Sequence, residues 1–478
     1  MGRSYGPNVW RRFVAPFAAA WFAAVCPVHL PAAELSELTA QVCVVGGGSG
    51  GFGAALAAAR AGASVVLVEQ TSRLGGTSTG AFVSSWEPGP GDDVAKELYQ
   101  RLRQQNAAGV TRDTNPDRKQ GRFGLWQVDP NVGYEASLRR AGRPRRDWHG
   151  VAFEPEAMSR LMAEMLAETG KCNVLFGRRF VSAKVEDRRV AAVEAVGPDG
   201  AVCRIRAGVF IDSTGNVDLC RAAGCEIMLG PDPRSRFDEP SAPEKPDRNL
   251  NAISWCYRLR KSDHPATPPA PESPVKRWPH SAHVVELPSG DRLVNPLGLF
   301  PGRMLIDLGY DKTKAACKPI VQAHWQWLHG QPAFAQYELE SLAPVLGIRE
   351  SHRVVGEYVL TQHDLLAGLA KQTHADLVAL ADHSMDIHGS GRASICKELP
   401  APYGVPYRCL VPKGMENLLV ACRGASFSQI AASSCRLSRT ILALGHAAGL
   451  GAAQAVKTGV PVGKVNVELL RKELRLLR

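Results

Sequence analysis

Five glycines in six positions, Gly46, Gly47, Gly48, Gly50 and Gly51, constrain this chain more than any other feature. They follow a short β-branched run, Val42-Cys43-Val44-Val45, and precede an alanine-rich stretch from Ala54 to Ala63. The first suits a buried parallel strand and the second a helix. Ser64 to Val68 then reads as another strand, closed by Glu69 and Gln70. The unit is strand, turn, helix, strand, with Gly46, Gly48 and Gly51 in G-x-G-x-x-G spacing. Gly46 allows the tight turn, Gly48 lets a pyrophosphate approach the backbone, and Gly51 lets helix and strand pack closely. The helix that starts near Ser49 carries about half a positive charge at its N-terminus, which favours a phosphate. Glu69 ends the second strand, where a carboxylate accepts hydrogen bonds from an adenosine ribose.

A second glycine-rich loop follows, Leu74-Gly75-Gly76-Thr77-Ser78-Thr79-Gly80. Amides and hydroxyls at that density suit the rest of a dinucleotide. Residues 88–150 read as polar and loop-rich. Phe153 to Gly170 has helical periodicity and a glycine stop. Four strand-like runs come next: CNVLFG, RFVSAKVED, RVAAVEAVG and AVCRIRAGVFIDSTG. A Gly197–Gly200 turn separates the last two. Residues 231–282 are rich in proline and charge and read as surface loops of an inserted region. The chain closes with LLVAC, a small-residue loop and an alanine-rich helix. The expected organisation is a signal segment over 1–33, a nucleotide-binding domain over 38–230 and 401–478, and a substrate or cap region over 231–400.

At 478 residues, 45% hydrophobic and 22% charged, the chain has the composition of a globular protein with one or two sizeable cores. Its net charge is +11, and Arg139, Arg140, Arg143, Arg145 and Arg146 crowd into RRAGRPRR. No nucleic-acid-binding motif or interleaved aromatic accompanies that run. It reads as a solvated loop, with no nucleic-acid partner expected. At the N-terminus, Arg11 and Arg12 precede the apolar segment Phe13 to Val25, and small residues follow around Ala32 and Ala33. This is the pattern of a secretory signal, too short for a membrane span. The expectation is an exported protein, periplasmic or secreted, with no stable span after cleavage. The 12 cysteines show no metal spacing, and no metal site is expected. Cys220 and Cys225 are a close pair for which a disulfide is open.

Several blocks, taken together, resemble one family. They are VVGGGSGGFGAALAAARAGASVVLVEQ, LGGTSTG, VFIDSTGNVDLCRAAG, GIRESHRVVGEYVLT, and VPYRCLVPKGMENLLVACRGAS with the helix after it. Their order is similar to that of the FAD-dependent oxidoreductases of the glutathione-reductase-like fold. Within that group they look like a bacterial branch distantly related to fumarate reductase flavoproteins. The resemblance implies an α/β chain: a Rossmann-like FAD-binding domain with an inserted α+β substrate or cap domain. It also implies residue roles. Gly46, Gly48, Ser49, Gly51, Glu69 and Gln70 would hold the ADP half of FAD. Gly75, Gly76 and Thr77 would lie near the pyrophosphate and ribityl, and the backbone of Val181 would meet the adenine. Ser213, Thr214 and Gly215 would return to the ADP moiety, and Arg423 to Ser426 would approach the ribityl chain. The helix after Ser434 would aim its N-terminus at the flavin. The chain departs from the family pattern at Asn216, Cys422 and Gln429.

A flavin performs the electron chemistry, so the chain must supply orientation, proton transfer and charge. His388, in Asp386-Ile387-His388, suits proton removal if a carboxylate orients it; equally, Asp386 could serve a structural turn. Arg349 and Arg353, in GIRESHRVVG, suit a bidentate clamp on a substrate oxygen; equally, they could pair internally with Glu350. A second dinucleotide unit and a flavin-adjacent cysteine pair are both missing from the sequence. A built-in nicotinamide domain and disulfide reduction are therefore not expected. The expected activity is oxidation of a CH–OH or CH–CH unit of a small polar molecule, a sugar or hydroxy acid, with an external electron acceptor. Reduction of an activated alkene is the alternative, and a non-catalytic FAD-binding protein is another.

Overall fold

The computed structural model describes residues 36–116, 123–245, 249–268, 282–388 and 395–475. The proposed signal segment, 1–33, lies outside them. The chain builds one sheet around the glycine-rich unit. Strand Ser36–Val45 pairs in parallel with Val65–Val68 on one side and with Val202–Asp212 on the other. Cys172–Leu175 extends the first edge in parallel, and Leu418–Val420 pairs in parallel with the end of Val202–Asp212. Arg189–Val196 and Arg179–Glu186 continue the sheet antiparallel, with the Gly197 amide closing the expected turn on the Ala201 carbonyl at 2.9 Å. Val42 to Val45 and Val65 to Val68 are buried on both faces, as an unbroken apolar run requires in a parallel sheet.

Helices Ser49–Arg60 and Ser438–Thr458 cover one face of this sheet's centre and pack on each other. Their contact is backbone on backbone. A methyl group on Gly445 would lie 2.1 Å from the Gly50 carbonyl oxygen, and one on Gly449 would lie 2.2 Å from the Ala54 oxygen. The alanine and glycine content that made both stretches read as helices also sets this close approach.

A second, eight-stranded sheet holds Tyr337–Leu342, Tyr257–Lys261, Arg292–Pro296, Ala282–Glu286, Phe123–Val128, Ala108–Asp113, His149–Phe153 and Ser85–Trp86, in that order. It corrects the loop-rich reading of residues 88–150, which contain helix Asp93–Gln104 and strands of this sheet. Four of its strands precede residue 154, so the cap region is not confined to 231–400. The join is the parallel pairing of Phe123–Val128 with Ala282–Glu286. Those segments are far apart in sequence, and neither alone carries a strong strand pattern.

The 231–282 stretch is also less superficial than its composition suggests. Asp232 and Glu239 are buried. Asp232 accepts a hydrogen bond from Arg353 Nη2 at 2.9 Å, and Glu350 accepts one from Arg353 Nη1 at 3.1 Å. Arg353 also donates to the carbonyls of Phe427 and Gly230. With 1% of its surface exposed, it does not line the cavity at the end of the first sheet. Its expected role as a substrate clamp is therefore corrected: it is an interior ion-paired strut, and Glu350, three residues before it, is one of its partners.

Among the described residues no helix is long and apolar enough to cross a membrane. Cys220 and Cys225 are free thiols.

Removing one partner from a buried ion network leaves the others uncompensated. Arg353→Met is expected to lower stability by about 3–5 kcal/mol. Chemical denaturation checks this, with flavin reduction per bound cofactor staying near wild type in the folded fraction.

Candidate active site

A cavity of about 750 Å³ opens where the strands of the first sheet end. Such a volume lies within the range of cofactor and ligand sites. The glycine loop forms one end of it. Gly46 has φ +100°, and a side chain there would collide with the Ser213 carbonyl 2.4 Å away. Gly51 has the Gly46 carbonyl 1.8 Å from where its Cβ would be. Gly46 therefore makes the turn, and Gly51 lets the helix sit on it. Gly48 is different: nothing lies within 4 Å of its absent Cβ, and it faces the cavity. Ser49, Glu69, Gln70, Gly76, Thr77 and the Ser213–Gly215 turn line the same end. Gly75, with φ +99°, does not line the cavity but joins the two glycine loops through its amide on the Gly47 carbonyl at 2.8 Å.

Glu69 has an internal duty that the sequence did not show. Its Oε2 accepts from the Gly47 amide at 2.7 Å and its Oε1 from the Thr71 amide and hydroxyl at 2.7 Å. Burial pushes its carboxyl up, against those hydrogen bonds. The acid clasps the glycine loop as well as lining the cavity.

Two expected contacts fall elsewhere. Ser426 is fully buried, and its hydroxyl accepts from the Gly356 amide at 2.8 Å, so it is a structural residue and not a cavity contact. Val181 turns an exposed side chain outward; Arg178, Arg179 and Phe180, just before it, line the cavity instead. Strand Arg179–Glu186 forms where the sequence placed it.

Two helix N-termini meet the cavity. Helix Ser49–Arg60 begins at Gly48 and helix Ser438–Thr458 at Leu437; neither has a side-chain cap or an acid in its first turn. Their free amides and dipoles suit anionic groups. Arg423 lines the same cavity; its buried Nε has no hydrogen-bond partner among the described residues, and burial pulls its guanidinium down. Uncapped amides, an open Gly48 and an orphaned guanidinium nitrogen fit a dinucleotide with its phosphates.

The far end of the cavity carries titratable groups. His388 Nε2 and Asp386 Oδ2 are 2.9 Å apart, and Arg436 Nη2 donates to the same oxygen at 3.0 Å. Burial pushes the Asp386 carboxyl up, but the His388 hydrogen bond and the charges of His388 and Arg436 outweigh it and hold the carboxyl well down. Burial is also the main cause that lowers His388, and the Arg349 charge adds to it, so the imidazole is neutral near pH 7. With Nε2–H directed at Asp386, Nδ1 has no hydrogen-bond partner among the described residues. Arg349 lines the same wall. It donates to the Ala252 carbonyl at 2.9 Å and the Ser254 hydroxyl at 2.7 Å. Among the described residues it has no carboxylate partner. Burial and the nearby Arg436 charge pull it down to about 10. A buried cation without an acid favours an incoming anion. Arg349 and Arg353 thus part company: four residues apart, one faces the cavity and the other the interior.

The arginine-rich run also needs correction. Arg140 is 5% exposed, not solvated, and its guanidinium lies 4.1 Å from the Trp148 ring centroid. It ion-pairs with Glu87 and with Glu398, and its amide donates to Asp382 Oδ2 at 2.7 Å. Arg140, Glu87, Asp382 and His383 all line the cavity. No motif marked them, because they come from three distant segments. Only the DHSMDIH spacing, in which Asp382 and His383 precede Asp386 and His388, offered a signal.

The family model for FAD-dependent oxidoreductases matches residues 41–474. No curated protein sequence gives a significant match. Three solved structures illustrate the likeness in fold. A geranylgeranyl bacteriochlorophyll reductase-like protein from Thermoplasma acidophilum is 12% identical over 92% of this chain and 84% of its own, with a TM-score of 0.47. A p-nitrophenol 4-monooxygenase from Pseudomonas putida is 13% identical over 92% and 81%, with a TM-score of 0.39. A myxobacterial chondrochloren halogenase is 11% identical over 91% and 78%, also with a TM-score of 0.39. At these values nothing about their reactions transfers to this chain. The family match spans nearly the whole chain: it belongs to the FAD-dependent oxidoreductases, is an enzyme, and uses FAD as its cofactor.

Proposed function

We propose that the enzyme oxidises a CH–OH or CH–CH unit of a small polar molecule, a sugar or hydroxy acid, and passes the electrons to an external acceptor. One observation carries this reading. A neutral His388, oriented by Asp386, and an Arg349 without an acid partner share the wall of the cavity that begins at the glycine loop. Bound FAD supplies the two-electron acceptance that side chains lack. The Arg349 guanidinium binds a substrate carboxylate or polar oxygen and fixes its position. His388 Nδ1 takes the hydroxyl proton as the substrate carbon is oxidised, and Asp386 steadies the imidazolium that forms. Arg436 keeps Asp386 ionised throughout. Trp86 and Trp126 also line the cavity.

Reduction of an activated alkene is the second reading, and Arg349 favours it too. Its guanidinium can equally hold the carboxylate of an unsaturated acid in place. Bleaching of the flavin by an added donor supports oxidation, and turnover driven by reduced dyes supports reduction.

We further propose that the enzyme is exported, on the strength of the Arg11-Arg12 pair and the Phe13–Val25 apolar segment. N-terminal sequencing of protein from native cells is expected to find a chain lacking about the first thirty residues. A chain starting at Met1 or Gly2 in the cytoplasmic fraction would reject it.

His388→Ala is expected to slow flavin reduction by about a hundredfold or more at unchanged FAD content. The sign of the pH effect follows from the lowered His388: the neutral base is lost only below its own titration, so the acid limb lies below the ordinary histidine value of 6.5. The limb should vanish in His388→Ala. Arg349→Lys should chiefly weaken substrate binding, because a point charge loses the bidentate geometry. Anaerobic stopped-flow reduction per bound FAD, followed across pH, checks all three. Unchanged rates and affinities in both variants would remove these residues from the chemistry.

A further inference from the structure

The cavity holds a second polar cluster that this chemistry leaves unused. Glu87 Oε2 takes a hydrogen bond from Arg140 Nη1 and lies 3.1 Å from His383 Nε2. Arg140 Nη2 reaches Glu398 Oε1 at 2.7 Å, and Arg140 Nε reaches Glu398 Oε2 at 2.9 Å. His383 Nδ1 lies 2.9 Å from the Ser384 carbonyl oxygen, which can only accept. Burial pushes the Glu87 carboxyl up, yet His383 and Arg140 outweigh it and hold the group well below the ordinary carboxylate range. Glu87 is therefore ionised and also only accepts. Arg140 and the His383 ring together hold the Glu87 carboxylate in place.

The Arg140 guanidinium lies between two carboxylates, Glu87 and Glu398. All the contacts to the Glu87 carboxylate fall on Oε2. Among the described residues Oε1 has no hydrogen-bond partner. The side chain is 37% exposed, and the surface that it opens to is the cavity. A lone carboxylate there would repel an anion, whereas this one meets the Arg140 guanidinium on one oxygen and keeps lone pairs open on the other. Across the same cavity, Arg349 feels the Glu87 charge and lacks an acid partner of its own. The cavity thus presents a donor fork for an anion and a fixed acceptor for hydroxyls.

We infer that Glu87 determines specificity, its Oε1 accepting hydrogen bonds from the hydroxyls of a polyhydroxylated carboxylate, a sugar acid, whose carboxylate lies on Arg349. This rests on the proposed oxidation and narrows its substrate class. A hydroxy acid without further hydroxyls would satisfy Arg349 and leave Glu87 bound only to water. A neutral sugar would satisfy Glu87 and leave Arg349 without an anion. Glu87 does not touch the reacting carbon in this scheme. It is a binding residue held in place by Arg140 and His383.

The test uses the FAD-loaded enzyme and reads perturbation of the bound flavin spectrum, which needs no turnover. The probes are gluconate, 2-hydroxybutyrate and glucose. Wild type should bind gluconate about tenfold or more tighter than either of the others. Glu87→Gln turns the open acceptor into an amide that can donate, and it should erase the preference over 2-hydroxybutyrate. Glu87→Asp keeps the charge, shortens the reach and should weaken the preference in part. Thermal midpoint and FAD content identify a variant that has failed to fold. In that case the wild-type preference and the Glu87→Asp result decide. Equal binding of gluconate and 2-hydroxybutyrate by wild type, or an undiminished preference in a folded Glu87 variant, would overturn the inference. Gluconate that binds with the expected preference without bleaching the flavin would leave Glu87 in place and defeat the oxidation reading. Bleaching without preference would do the reverse.

Discussion

Helices Ser49–Arg60 and Ser438–Thr458 touch through their backbones, and the cavity is arranged around that contact. Gly50 and Gly53 on one helix face Gly445 and Leu442 on the other, too close for any side chain at the glycine positions. Gly50 also packs its Cα against the Ala421 carbonyl, 1.8 Å from where a Cβ would be. Because the helices lie this close, both bring their uncapped N-termini to the same end of the sheet. The parallel strands ending at Val45, Val68, Asp212 and Val420 deliver their loops to that point. Ligands bind at the carboxyl ends of strands in folds of this kind because the helix dipoles and loop amides converge there.

The electrostatics follow from that convergence. Arg349, Arg423, Arg436 and Arg439 approach one cavity, and burial pulls Arg349, Arg423 and Arg439 down. Buried cations in this number are stable only with anions among them. Asp386 answers Arg436, Glu87 and Glu398 answer Arg140, and the cofactor's phosphates suit the helix amides and Arg423. Arg349 is left for an anion from outside. His388 and His383 stand five residues apart yet face different carboxylates, Asp386 and Glu87. In the proposed reaction one takes a proton, and the other holds a carboxylate still.

The sequence was most legible where a backbone demand fixes the residue type. The Gly46, Gly48 and Gly51 spacing, the acid at Glu69 and the apolar runs of the first sheet read directly into structure, because only glycine tolerates those approaches and only unbroken apolar runs fill a sheet covered on both faces. The cap sheet was not legible, since Phe123–Val128 finds its partner in Ala282–Glu286, well over a hundred residues later. Arg349 and Arg353 show the limit more sharply. Both are arginines in one short motif, and a period of four cannot say which meets the cavity once the segment is irregular. Burial of Asp232 decides it, and that acid lies in a stretch whose prolines suggested surface. Arg140 was hidden by its neighbours: five arginines in eight residues read as solvated, while one of them turns inward to Glu87 and Trp148.

Gly445→Val tests the central claim, that close helix contact aims both N-termini at the cofactor, more directly than any change in the cavity itself. The substitution adds no charge and lies behind the cavity wall, yet its side chain would force the helices apart at Gly50, which lines that wall. The FAD dissociation constant and the thermal midpoint of the apoprotein should be measured on the same preparation. The account predicts a loss of about 1–3 kcal/mol in stability together with clearly weaker FAD binding. A variant that keeps the wild-type midpoint and binds FAD as tightly as wild type would contradict it.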